Sequence, residues 1–228
     1  MLLIILLTFA LSIYAQWKVS SNYNRYSQVA ASSGYTGAQI AQRILDLNGI
    51  RDVSIHSSPG HLIDHYDPSN RRLVLSDENY YGNSVAALGI SAHECGHAIQ
   101  HAIAYAPLQW RMAAVGITTI AGNIIPVLAI GSWFLAPKIV FPLLAAAFGI
   151  VMLFQLVTLP VEFDATARAK KVLASTGAVA QGAEFNAMSR VLDAAALTYV
   201  AAFLSALASF LQYLLPLIMG GRSGDDEG

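Results

Sequence analysis

Residues 112–161 read MAAVGITTIAGNIIPVLAIGSWFLAPKIVFPLLAAAFGIVMLFQLVTLPV, and Lys138 is the single charge among them. A helix needs about 20 apolar residues to cross a hydrocarbon core about 30 Å thick. Met112–Leu135 and Ile139–Leu159 each meet that requirement, and residues 136–138 leave room only for a tight turn between them. The stretch reads as a transmembrane hairpin. Asn123, Pro126 and Gln155 inside it read as helix-packing polar groups and a kink, because polar groups at membrane depth need protein partners.

Two further stretches extend the pattern. Ala194–Met219 is uncharged and long enough to cross. Leu2–Gln16 is shorter, spanning about 22 Å as a helix, with Trp17 and Lys18 placed as interfacial anchors. It reads as a retained anchor rather than a cleaved signal peptide. No basic segment precedes it, and the residue three before a cut after Ala15 is Ile13, where a small residue is wanted.

The composition of the 228 residues agrees with a membrane protein: 55% are hydrophobic and 12% charged, against about 25% charged in an ordinary soluble domain. A net charge of −1 without a basic stripe excludes a nucleic-acid binder, and the single cysteine, Cys95, excludes an intrachain disulfide framework. The expected organisation is an anchor at 1–17, a charged region at 18–111, the hairpin at 112–159, a second charged region at 160–193, a transmembrane helix at 194–219 and a tail at 220–228. The fold class is mainly α, an integral membrane protein with about four transmembrane helices and a small β-hairpin.

Within 18–111, Thr36–Leu47 carries Ile40, Ile44 and Leu47 at helical spacing and stops at Asn48-Gly49. Val53–His56 reads as a short strand. His61–Tyr66 and Arg72–Leu75 flank the turn sequence Asp67-Pro68-Ser69-Asn70 and form a hairpin. A long apolar helix is expected over 84–106, capped by Ser84 and stopped by Pro107.

That helix holds His93-Glu94-Cys95-Gly96-His97, an H-E-x-x-H pattern. Two histidines four residues apart project from one helix face, so both imidazoles can reach one zinc ion, and Glu94 stands about 100° round the helix at the edge of that face. Zinc lowers the pKa of a bound water towards about 7. Glu94 is then the general base for that water and later the acid towards the leaving amine. Cys95 points away from the histidines and reads as small core filler.

A catalytic zinc takes three protein ligands and keeps one position open. His101 lies about 12 Å along the helix from His93 and about 80° around it, too far for the same ion. Gln100 and Ile103 occupy the places where the metzincin pattern has its Gly and third His. Glu162 is the best candidate, because a carboxylate just past an apolar stretch is costly unless it is paired or metal-bound. Pro160 fits the start of a new helix there. Asp164 reads either as orienting a ligand histidine or as a solvated surface group.

Two crossings separate His97 from Glu162, so the chain returns to the side it left. Eleven of the 13 basic residues share that side, and only Lys138 and Arg222 lie opposite. The positive-inside rule then puts the ligands on the cytoplasmic face of the plasma membrane and both termini outside.

Leu62-Ile63-Asp64-His65-Tyr66-Asp67-Pro68, Leu75-Ser76, the run His93 to His101, Pro160-Val161-Glu162-Phe163-Asp164-Ala165 and Ala194 to Ala201 together resemble the YugP-type neutral zinc metallopeptidases of bacterial membranes. The resemblance covers nearly the whole chain. More remotely, the layout is similar to the CAAX prenyl protease and HtpX gluzincins. Their third ligand is a glutamate followed four residues later by an aspartate, where this chain has Thr166. The resemblance implies a gluzincin-like fold, zinc as cofactor, Glu162 as third ligand, and a peptide or membrane-protein substrate. The hairpin before the zinc helix either aligns an extended substrate by strand addition or only packs on the helix. Candidates for an oxyanion donor are His65, Tyr66, His101 and Tyr199. Two other functions stay open beside the endopeptidase: a membrane scaffold whose zinc is structural, and a zinc hydrolase of a non-peptide substrate.

Overall fold

The structure, a computed structural model, describes residues 1–220. The expected tail at 220–228, with Arg222, lies outside the described residues apart from Gly220. Among the described residues the elements are α1 (Leu2–Tyr26), α2 (Gly37–Leu47), β1 (Ser54–Ser58), β2 (His65–Asp67), β3 (Arg72–Ser76), α3 (Asp77–Tyr81), α4 (Val85–Ala102), α5 (Ala106–Gly131), α6 (Pro137–Ser175) and α7 (Ala183–Gly220). Four of the helices, α1, α5, α6 and α7, are long and apolar enough to cross a membrane.

The chain forms two compact units. One comprises Met1–Tyr14, Trp110–Leu159 and the chain from Thr198 on. Here Ser12 Oγ and Ser205 Oγ meet at 3.2 Å, and Tyr213 packs against Phe141 and Phe148 with ring centroids 5.5 and 5.6 Å away. Such hydroxyl pairs and ring contacts link helices where lipid gives no hydrophobic drive to associate.

The other unit comprises Ala15–Gln109 and Pro160–Leu197. Its sheet has the order β1-β3-β2. β2 and β3 form the expected antiparallel hairpin, with Tyr66 opposite Leu73, and β1 pairs parallel to β3 on its other side. The turn is held by Asp67, whose carboxylate accepts from the Ser69 and Asn70 amides, from Asn70 Nδ2 and from Arg72. Thr36 and Gln39 form a capping box at the start of α2. At its end Gly49, at φ 70°, lets the Ile50 amide reach Leu45 O, a Schellman closure. Ile40, Ile44, Leu45, Leu73, Leu75, Leu88, Leu173 and Met188 are all buried in one core cluster.

Several boundaries differ from the sequence reading: α1 runs past Gln16 to Tyr26, α5 covers Ala106–Gly131 and α7 begins at Ala183. α4 ends at Ala102 rather than 106, because Ala104 takes a left-handed φ of 53° and the Tyr105 amide bonds back to Gln100 O. Pro107 falls in the first turn of α5 instead of stopping α4. No new helix starts at Pro160, since α6 runs unbroken through it. Val161, Ala165, Ala169 and Leu173 form a fully buried stripe at four-residue spacing, and that packing carries the helix past the proline.

Candidate metal centre

α4 begins at Ser84, whose hydroxyl accepts from the Ala87 amide, and its middle is so apolar that 14 of its 18 residues are buried. His93 and His97 lie one turn apart on it, with ring centroids 4.9 Å apart and nearly perpendicular. α6 supplies the third group. Glu162 Oε2 lies 3.3 Å from His93 Nε2 and 3.5 Å from His97 Nε2, and the carboxylate is 1% exposed. One ligand atom from each of the three lies within 4.8 Å of the others, so the group can hold a metal ion.

The helices meet closely because residue 96 is glycine. A Cβ there would stand 2.8 Å from the Ala165 carbonyl oxygen and 3.0 Å from its Cα. The two imidazoles and one carboxylate are a donor set that zinc takes in catalytic sites. Glu94 is buried at 8% exposure next to the first histidine.

The charges are mutually supported. Burial works against charge on Glu162, but hydrogen bonds from His93 and His97 outweigh it and hold the carboxyl below the usual carboxylate range. Burial likewise depresses His97, and the Glu162 hydrogen bond with the nearby Glu94 charge more than reverses this, leaving its pKa raised.

Behind His93 and His97 lie Thr166 and Gln100, to which the sequence assigned no such contact, and Asp164, which it read in two alternative ways. Thr166 Oγ1 is 3.3 Å from His93 Nδ1, so a hydroxyl touches the first histidine from the position four residues beyond Glu162. His97 Nδ1 is 3.0 Å from Gln100 Oε1. Gln100 Nε2 donates to Val161 O and to Asp164 Oδ2, both at 2.8 Å, and Asp164 also accepts from Arg168 Nε at 2.6 Å. Asp164 therefore reaches His97 through an amide. The available signal was an amide on a helix otherwise apolar enough to be buried, since buried polar groups are hydrogen-bonded.

Other candidates fall elsewhere. His101 Nδ1 pairs with Tyr66 Oη at 2.8 Å, beside a cavity of about 440 Å³ that both line with Arg71 and Asp52. His65 Nδ1 meets Ile63 O. Tyr199 belongs to the other unit. Cys95 is fully buried, 3.6 Å from Ala41 O, and burial pushes its thiol pKa well up.

Residues 1–218 match the protein family described as "putative neutral zinc metallopeptidase". The chain is 43% identical over 224 residues to the "Putative membrane protease YugP" of Bacillus subtilis (strain 168), covering 97% of this chain and 99% of that one. No solved structure matches it.

Proposed function

The chain belongs to this neutral zinc metallopeptidase family, and on that premise we propose that it is a membrane-anchored zinc endopeptidase whose metal ligands are His93, His97 and Glu162 and whose general base is Glu94. One observation carries the reading: three ligand atoms from two helices, 65 residues or more apart in sequence, converge within 4.8 Å at a point beside a buried glutamate.

A zinc ion held there supplies Lewis acidity, acidifying a water and polarising a carbonyl. Glu94 takes the proton of the attacking water and delivers it to the leaving amine. Glu162 and the two histidines hold the metal, while the buried contacts of Gln100 and Thr166 limit movement of the imidazoles. The substrate is a peptide or a segment of a membrane protein, engaged by the chain α1, α5, α6 and α7 anchor in the lipid bilayer. With two crossings between the ligands and most basic residues on their side, the site faces the cytoplasm across the plasma membrane.

Glu94→Gln keeps the size of the side chain and removes the base. The purified variant is expected to retain zinc and to lose peptide hydrolysis by at least about 100-fold. Wild-type turnover in that variant contradicts the mechanism.

A further inference from the structure

Gln100 has its whole side chain buried and every polar atom of it engaged. Its Nε2 faces two groups, the Val161 carbonyl oxygen and the Asp164 carboxylate. A carbonyl and an ionised carboxylate can only accept, so the amide NH2 must point at them and Oε1 must point at His97. An amide oxygen also only accepts, so the proton between Gln100 and His97 sits on His97 Nδ1. The remaining nitrogen, Nε2, is the one turned toward Glu162.

We propose that Gln100 is a positioning residue of the metal centre, fixing His97 with Nδ1 protonated and Nε2 presented, and tying that imidazole to the helix that carries Glu162. The inference rests on His97 being a zinc ligand, as proposed above. Val161 is the residue immediately before Glu162, so one amide grips both the imidazole on α4 and the backbone beside the carboxylate on α6. Asp164, held by Arg168, fixes the amide orientation from outside. Histidine ligands commonly give their second N–H to a carboxylate, a backbone carbonyl or a water. Here a neutral amide makes that contact without adding a carboxylate beside Glu94 and Glu162, and the carboxylate stands one hydrogen bond further out.

The test uses the full chain in lipid nanodiscs, loaded with zinc. Nitrogen-15 histidine spectra of the wild type should show His97 with its proton on Nδ1 and the metal on Nε2; a proton on Nε2 overturns the inference. Zinc affinity, read by chelator competition, should fall about 10–100-fold in Gln100→Leu. In the same variant the His97 Nδ1 proton, having lost its acceptor, should exchange with water faster than in the wild type. Unchanged affinity in the leucine variant, or a His97 Nδ1 proton that exchanges in it as in the wild type, overturns the proposal. If the leucine variant does not fold, the wild-type spectrum decides. A wild type without zinc, or His97→Ala with wild-type affinity, instead overturns the metal-site reading and this inference with it.

Discussion

Glycine at position 96 leaves no side chain between the Ala165 backbone and α4, and this contact sits between the two histidines of the motif. An alanine there meets backbone rather than the end of a flexible side chain, so α6 must move, and Glu162 moves with it. Overpacking of this kind costs about 1–3 kcal/mol. Taken from metal binding, that is a loss of roughly 5- to 150-fold in zinc affinity for Gly96→Ala. Calorimetric titration of the purified variant checks it, and wild-type affinity would show that the close approach is not needed. At this scale the grouping of His93, His97 and Glu162 was legible where the signal is local. The four-residue spacing of His93 and His97 needs only a helix, and Glu162 stands out as a carboxylate beside an apolar run. Thr166 was missed because its partner lies on the other helix more than seventy residues away, and Gln100 because the groups that turn its amide oxygen toward His97 lie more than sixty residues away.

Elements were legible where they carry their own signals. The Thr36 and Gln39 box, the Asn48-Gly49 stop and the Asp67 turn all appear in the structure where the residues place them. The end of α4 had no such signal, because an alanine occupies the left-handed position that glycine usually fills. A left-handed non-glycine residue costs roughly 1–2 kcal/mol. Ala104→Gly is therefore expected to stabilise the chain by about 1 kcal/mol once the greater freedom of glycine in the unfolded state is offset. Denaturation of the detergent-solubilised variant measures it, and a lower midpoint would mean that residue 104 is not strained. Pro160 misled in the opposite direction. Its ring reads as a helix start, but the buried stripe from Val161 to Leu173 keeps α6 continuous, and tertiary packing overrides the local preference.

The chain combines a sparsely charged set of long helices with a unit that carries His93, His97 and Glu162. The uneven distribution of charge, more than its low total, predicts orientation. A cysteine introduced at Lys138 of a Cys95→Ala background should react with a membrane-impermeant maleimide in intact cells, whereas one at Arg71 should react only after lysis. The reverse pattern would place the metal centre outside the cell. Family membership points to zinc and to peptidase chemistry, while the substrate follows from neither composition nor motif. Recognition of a peptide depends on the surface around the site, which the five residues of H-E-x-x-H do not describe.

The ligand set itself is tested most directly by zinc-edge X-ray absorption on the purified full-length chain. The account predicts one zinc per chain in a shell of nitrogen and oxygen at about 2.0–2.2 Å, with outer-shell scattering from two imidazoles. A sulfur at about 2.3 Å, a third imidazole, or no bound zinc would contradict it.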